Sequence, residues 1–490
     1  MAAALVVLAT VKRGPALSPD SAVYLSVADH LAHGRGWTQF DGAPYVRWAP
    51  LYPFLLSLGP RLGGAAATVA QVLQPLFLAG SVALCGAWLT RHVRGAGWRI
   101  AALALVALST IGIESAAFVW SESLDLLLTL GCLVALDAWL TGGRPRALAL
   151  ATACAALACL TRYASIVLVP VGALAILLAP GMSARKRVLG AALFSLGAAL
   201  PIAGWMVRNV GMGAGPLGAT AAAGGFSWAQ LAAQASNAAS HWVSPESSPP
   251  LVRAAALVLF AMAAAATLVS AFARTWRARS EHYGAALLLA FVGAHKLAVL
   301  GGAHAAAVEG IEERYLAPLF APLVLALAWA ADRATASPAR LGLARPVLAA
   351  LAALWIAFTA LRTADRERGY LGDGAWGLNN ARWERSSVLQ AARRRLGRGT
   401  AHVESNAPDA LYALAGIEAR LSPRKHAYHS PETKVDDLER FQADGGPVTL
   451  VWFAGADRSY LAAPEELARL RPREILERTA DGELDLFLER

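Results

Sequence analysis

Ten apolar stretches of 15–26 residues divide the chain, at 65–90, 99–113, 117–140, 146–160, 163–179, 188–208, 251–273, 283–301, 315–331 and 346–362, and a shorter one occupies 2–11. No other feature restricts the fold as strongly. A helix needs about 20 apolar residues to cross the hydrocarbon core of a bilayer. Inside that core every backbone N–H and C=O has to be satisfied by the protein itself, which leaves helices or closed barrels. Apolar runs of this length are helical rather than strand-like. Composition agrees: of 490 residues, 56% are hydrophobic and 16% charged, against about 25% charged in an ordinary soluble domain. A cytosolic enzyme of two or three domains is excluded, as is a fibrous or disordered chain, which needs low hydrophobicity. The expectation is an α-helical polytopic membrane protein with about eleven transmembrane helices.

Charge separates two regions. Residues 362–490 hold 20 basic and 21 acidic side chains, the density of a soluble domain, whereas the first 361 hold 24 and 13. The chain is therefore expected to divide into a transmembrane domain, 1–361, and a soluble α/β domain, 362–490. The net charge of +10 belongs to the membrane part and reports orientation rather than nucleic-acid binding. With the N-terminus in the cytoplasm, the short connectors 91–99, 141–146, 180–187, 274–282 and 332–345 carry 14 of the 24 basic residues, as the positive-inside rule demands. By contrast the loop 209–250 is almost uncharged, and 302–313 carries Glu309, Glu312 and Glu313. The same rule makes 146–179 a hairpin of two short helices, and the odd number of spans puts the tail outside.

Two outer pieces stand out. Residues 12–64 form a first outer loop far longer than a connector requires. In it Ser18, Pro19 and Asp20 open a helix that closes at Gly34, with Ser18 as N-cap and Pro19 at the first helical position. The tail reads as helix 383–397, strand 401–405, helices 407–415 and 435–443, strand 447–453, helix 464–470 and a strand or hairpin within 473–488. Cys85, Cys132, Cys154 and Cys159 lie in apolar runs without metal or disulfide spacing. They read as small buried hydrophobes.

Several polar residues could carry chemistry. Helical spacing sets Asp20, Tyr24, Val27 and Leu31 on one stripe, so the carboxylate lies on the apolar side of its helix. An acid in a first turn favoured by the helix dipole is the alternative. Glu122 and Asp125 lie one turn apart at the outer end of the fourth helix, where ionisable groups are rare and usually functional; for Glu122 a headgroup-level flank is the alternative. Arg162, Arg208, Lys296 and Arg314 fall at outer helix ends, against the positive-inside trend. Four such cations from four helices suggest a shared anionic target, such as a lipid-linked phosphate. Snorkelling, or pairing with Glu122, Glu312 or Glu313, would also account for them. His30, His33, His295 and His304 lack metal spacing, and the glycine-rich stretch 211–225 lacks a phosphate-loop pattern.

The order of short motifs along the chain is specific. The runs Pro19-Asp20-Ser21-Ala22-Val23-Tyr24, Ala28-Asp29-His30-Leu31-Ala32-His33-Gly34-Arg35-Gly36 and Ala49-Pro50-Leu51-Tyr52-Pro53-Phe54 resemble the first outer loop of GT-C glycosyltransferases. Within these, the likeness is to the family 39 group, with protein O-mannosyltransferases and the lipid A aminoarabinose transferase. Ser121-Glu122, Leu160-Thr161-Arg162, Trp205 with Arg208-Asn209, Glu313-Arg314-Tyr315 and Glu404-Ser405-Asn406 follow in the family's order. The resemblance implies a bacterial cytoplasmic-membrane enzyme with its tail outside. It would transfer a sugar, with inversion, from a polyprenyl-phosphate carrier to a lipid, glycan or protein acceptor. It gives Asp20 the role of base and Glu122 a second catalytic position. It puts Tyr24, Arg47, Tyr52, Arg162, Arg208, Lys296, Arg314 and Tyr315 against the substrate. Members often carry a second acid after the first, where this chain has Ser21. No cofactor is therefore expected and no metal ligands are assigned, with a divalent cation left open.

Two other classes remain. A flippase for lipid-linked saccharide should carry duplicated or inverted repeats, and none is evident; a non-catalytic envelope-polysaccharide assembly protein could keep the same fold. The expected orientation is testable: cysteines placed at Ser236 and Ser386 should be labelled from outside intact cells, and protection of both would invert it.

Overall fold

The computed structural model describes every residue except 219–225, 276–278, 306–309, 337–343, 398–401, 428–429, 457 and 489–490. Glu309, the start of the expected strand 401–405 and part of the glycine-rich stretch lie outside the described residues. The chain forms two compact units, one of residues 1–9, 46–52 and 72–368, the other of 10–45, 53–71 and 369–490. The boundary expected at 362 thus falls within a helix, and the segment 12–64 is shared, with 46–52 counted among the membrane helices.

In chain order the helices of the amino-terminal three quarters are α1 (Ala2–Thr10), α2 (Pro19–Ala32), α3 (Leu51–Leu56), α4 (Leu58–Arg61), α5 (Ala66–His92), α6 (Ala96–Ala107), α7 (Thr110–Ala117), α8 (Glu122–Gly142), α9 (Pro145–Thr161), α10 (Leu168–Leu177), α11 (Ala184–Gly211), α12 (Trp228–Ser240), α13 (Pro250–Thr275), α14 (Arg279–Ala305), α15 (Glu313–Ala334) and α16 (Ala344–Gly372). Among the described residues eight helical segments are long and apolar enough to cross a membrane, α6 and α7 counting as one. The pair Pro145–Thr161 and Tyr163–Leu177 is apolar but shorter, as the expected hairpin requires, and α1 has 9 residues. The protein is a multi-pass α-helical membrane protein with a small carboxyl-terminal sheet domain.

The first unit answers its buried polar groups one by one. Where α6 gives way to α7, the Leu108 carbonyl loses its helical partner and takes a bond of 2.7 Å from the Thr363 hydroxyl. Ser109 caps α7 by accepting from Gly112 N–H at 3.2 Å. The α8–α9 turn uses Gly143 at φ 64° as the left-handed cap and Pro145 in the first turn of α9. At the end that carries the basic connectors, the buried Asp332 carboxylate accepts from the backbone N–H groups of Gly95 and Arg94 at 2.7 and 3.0 Å, so α15 caps the entry to α6. Beside it His92 Nε2 meets Asp137 Oδ2 at 2.7 Å. Trp88, Trp139, Phe194, Phe291 and Trp329 fill the interior.

In the second unit, α2 starts as expected at Ser18, but Ser21 has a role that its sequence position does not announce. The two serines form a capping box: Ser21 N–H donates to Ser18 Oγ and Ser18 N–H to Ser21 Oγ. The tail adds α17 (Ala381–Glu384), α18 (Ser387–Arg395), β1 (Val403–Ser405), α19 (Pro408–Ala415), β2 (Arg420–Leu421), β3 (His426–Ala427), β4 (Ser430–Lys434), α20 (Asp437–Ala443), β5 (Val448–Phe453), α21 (Pro464–Leu467), β6 (Arg473–Thr479) and β7 (Gly482–Phe487). Its sheet runs β2-β1-β5-β7-β6, parallel on the β1 side of β5 and antiparallel on the other. Asn406 locks the β1–β5 edge, donating to the Phe453 and Ala456 carbonyls and accepting from Phe453 N–H at 2.9 Å. Ser386 caps α18 and is buried, so exposed Glu439 on α20 is the better tail position for outside labelling.

Glu404 on β1 is the exposed weakness of this domain's energetics. Burial raises its carboxyl to about 7, against the opposing pull of Arg420 and Arg471 and with help from Asp444 and Asp437. An acid whose folded value lies above its unfolded one binds an extra proton when folded, so its cost grows as pH rises from about 4.5 and is complete above 7. Glu404→Gln should therefore strengthen amide protection of β1 and β5 in the full-length protein at pH 8, by on the order of 2–3 kcal/mol, with little change at pH 5. Equal effects at both pH values would contradict the assignment.

Candidate phosphate and sugar site

In the first unit the amino end of α8 and the carboxyl ends of α9 and α11 are joined to one another and to the segment 46–52. Arg162, which closes α9 and opens the 3-10 turn Tyr163–Val167, places Nη1 2.8 Å from Glu122 Oε1 and 3.1 Å from Ser121 Oγ. Glu122 is 4% exposed, so the two form a largely desolvated pair. One turn deeper the wholly buried Asp125 accepts from the Ser165 hydroxyl at 2.5 Å. Of the readings open for Arg162, pairing with Glu122 is thus realised.

Tyr163 is the hub of the next layer. Its hydroxyl lies 3.1 and 3.2 Å from the carbonyls of Val46 and Trp48, and it accepts from Trp205 Nε1 at 3.0 Å and Asn209 Nδ2 at 3.1 Å. Asn209 also reaches the carbonyls of Val46 and Pro216 at 3.2 and 3.1 Å. These bonds fasten the first outer loop's 46–48 stretch to the end of α11. Arg208 stacks 4.4 Å above Trp205 and donates to Asn209 Oδ1 at 3.2 Å. Arg47 is exposed and lies 5.2 Å over the Trp48 ring. Hence Arg47 and Arg208 are presented on aromatic faces around one hydrogen-bonded hub. Gly218 seals it: at φ 76°, a Cβ there would come within 2.1 Å of the Val46 carbonyl oxygen.

The remaining expected residues separate. Arg314 is paired through Nε with Glu312 at 3.1 Å and lies over Trp120 and Tyr315, and Arg314 Nη2 donates to the Tyr315 hydroxyl at 3.2 Å. Lys296 is exposed on α14, next to buried His295. Tyr52, expected against substrate, is 1% exposed and takes a bond of 2.7 Å from Gln74, whose amide also serves the Phe118 and Trp120 carbonyls. It is a core residue, because its hydroxyl is consumed inside the bundle. In the second unit, Asp20 is half-buried at the start of α2 and Tyr24 is 3% exposed. Tyr163 escaped the sequence reading, although it directly follows Arg162 at a helix break.

The described residues include one set whose atoms are close enough for a cation: His241, Glu246 and Glu313. It does not fit one. Arg362 grips Glu313 through both oxygens at 2.9 and 2.7 Å and Glu246 at 2.8 Å, and Arg366 adds a contact at 3.3 Å. Two guanidinium groups already supply the positive charge, and burial of the Glu246 carboxyl is outweighed by Arg362, which holds it below its usual range.

The Glu122–Arg162 pair predicts a sign pattern. Removing one partner strands a buried charge and should cost about 3 kcal/mol. In thermal unfolding, Arg162→Ala should lower the midpoint more than the double change Arg162→Ala with Glu122→Gln. Additive losses would show that the pair is not coupled.

The sequence matches no protein-family model, and no curated protein matches it. Solved structures do. ArnT from Cupriavidus metallidurans in the apo state aligns over 98% of this chain and 96% of its own, at 13% identity and a TM-score of 0.61; the same protein bound to undecaprenyl phosphate gives 0.60, at 13% identity over 99% and 96%. The Archaeoglobus fulgidus oligosaccharyltransferase, in a complex with Zn and sulfate, aligns at 14% identity and a TM-score of 0.56, over 92% of this chain and 67% of its own. The mycobacterial arabinofuranosyltransferase AftD covers the whole chain with 40% of its own length, at 16% identity and 0.53. The backbone of this chain therefore has the GT-C glycosyltransferase fold.

Proposed function

We propose that the protein is a glycosyltransferase of the bacterial cytoplasmic membrane that moves a sugar from a polyprenyl-phosphate carrier to an acceptor on the outer side, where the tail domain also lies. The observation that carries this reading is the pair Arg47 and Arg208, stacked on Trp48 and Trp205 and joined through Tyr163 and Asn209. Guanidinium groups bind a phosphate through paired N–H donors, and two of them held on aromatic faces around one hub can present those donors to the same anion. The structural likeness to ArnT bound to undecaprenyl phosphate supports the choice of carrier.

In the proposed reaction the acceptor hydroxyl attacks the anomeric carbon from the face opposite the phosphate. The bond between that carbon and the phosphate oxygen breaks, and the configuration inverts. Asp20 takes the acceptor's proton, and the arginines stabilise the departing phosphate. Glu122, held by Arg162, serves as a positioning acid rather than a second base, and Lys296, Arg314 and Tyr315 border the lipid-linked donor. Ser21, in the place where the resembled family often carries a second acid, bonds Ser18, and the proposal assigns no metal ligands.

Two measurements on the reconstituted protein test this. Asp20→Asn should leave carrier binding intact and lower transfer by about 10²–10⁴-fold; near-normal turnover would move the base elsewhere. Arg47→Ala and Arg208→Ala should each weaken binding of polyprenyl phosphate by about 10–100-fold, the loss expected for a charged hydrogen bond. Unchanged affinity in both would remove the phosphate site, and export of intact lipid-linked sugar without transfer would make the protein a flippase.

A further inference from the structure

The segment just ahead of Asp20 is not held by α2. It is held by residues more than 350 positions later, all within the second unit. Asn379 Nδ2 donates to the Arg13 carbonyl and, at 3.2 Å, to the Pro15 carbonyl. Leu378 N–H donates to the Leu17 carbonyl at 2.8 Å. Lys12 Nζ reaches the Leu371 carbonyl at 2.8 Å, and Arg13 binds the Gly372 carbonyl at 3.0 Å and Glu384 through Nε at 3.0 Å. The tail side of this staple is itself rigid: Asn380 Nδ2 closes the turn onto the Ala375 and Gly377 carbonyls, and Gly374 and Gly377 take φ of 92° and 100°. Pinning stops at Leu17, and the Ser18–Ser21 box begins one residue later, so the backbone entering Asp20 is fixed on both sides.

The far end of the same helix is tied to the tail as well. His30 Nε2 and Arg35 both contact Glu418, the former at 3.2 Å, and Phe40 stacks on Tyr412 with ring centroids 5.6 Å apart. Burial would raise the Glu418 carboxyl, but Arg35 and His30 outweigh it and hold it below its usual range. Of these anchors, Asn379 is the one whose side chain holds the backbone ahead of the acid, beside the backbone bond from Leu378 to Leu17.

We propose that Asn379 is a positioning residue: its amide, donating to the Arg13 and Pro15 carbonyls, sets where the Asp20 carboxylate stands. The inference rests on the reading of Asp20 as base. Neither carbonyl belongs to a helix or a strand, so without Asn379 these two carbonyls turn to water, and the stretch keeps only its Lys12, Arg13 and Leu17 contacts. The geometric demand is severe, since a displacement of about 1 Å in a reacting group can cost on the order of 10²-fold in rate.

The experiment compares Asn379→Ala, Asp20→Asn and the double variant in full-length protein reconstituted in membranes, with a polyprenyl-phosphate sugar as donor. Asn379→Ala should lower kcat by about tenfold or more while KM for the donor and affinity for polyprenyl phosphate stay within twofold. Because Asn379 works through Asp20, adding Asn379→Ala to Asp20→Asn should change the residual rate no further. A general folding defect would lower the rate in both backgrounds, and that result overturns the proposal. So does a wild-type kcat for Asn379→Ala alongside an inactive Asp20→Asn, which leaves the base assignment standing. If Asp20→Asn keeps its turnover, the base assignment itself fails and the proposal falls with it. Should Asn379→Ala reduce the yield of folded protein, Glu384→Gln loosens only the exposed Arg13 pair and should give the same kcat-only loss on a smaller scale; a changed KM with constant kcat would refute it.

Discussion

A charge held among apolar helices costs several kcal/mol unless something nearby answers it, and the first unit is arranged around that cost. Arg162 is answered by Glu122, Arg362 by Glu313 and Glu246, and Arg314 by Glu312. Asp332 is answered by two backbone N–H groups. All but the Arg314–Glu312 pair join elements distant in sequence, so the requirement that charge be neutralised doubles as a device that sets helix positions. Arg47 and Arg208 lie against aromatic rings. Their near neighbours are the Trp48 and Trp205 rings and an amide oxygen. A cation held on an aromatic face is stabilised by about 0.5–2 kcal/mol, less than a carboxylate in the same place would supply.

The same economy appears in the polar backbone. A broken helix between α6 and α7 is tolerated because Thr363 reaches the orphaned Leu108 carbonyl. The 46–48 stretch, which has no regular structure, sends its carbonyls to Tyr163 and Asn209. In the second unit the irregular segment 12–17 is served by Asn379 and the Leu378 amide. In each case groups from a distant element take the place of secondary structure, and in the latter two the candidate chemistry sits next to the irregular stretch.

Much of the architecture was legible in the sequence because hydrophobic periodicity and basic connectors act locally. Every apolar stretch from 2–11 to 346–362 contains a helix, and the 146–179 hairpin follows from charge alone. Ser18 and Pro19 announced α2. What the sequence concealed depends on contacts far apart in the chain. The helix α12 lies in a loop whose composition is neither apolar nor charged, and β2 is two residues long. The resemblance put Tyr52 against the substrate; only Gln74, 22 residues on, shows why it is buried. The four outer cations looked equivalent, and they differ because Glu122 and Glu312 claim two of them.

Photo-crosslinking asks most directly whether the Arg47 and Arg208 surface holds the carrier. A polyprenyl phosphate with a diazirine beside the phosphate would be bound to the full-length protein in nanodiscs, irradiated, and its adducts mapped by peptide sequencing. The account predicts adducts within 46–52 and 205–209, competed by unlabelled polyprenyl phosphate and abolished together in the Arg47→Ala and Arg208→Ala double variant. Adducts confined to other segments, or labelling that survives the double variant unchanged, would contradict it.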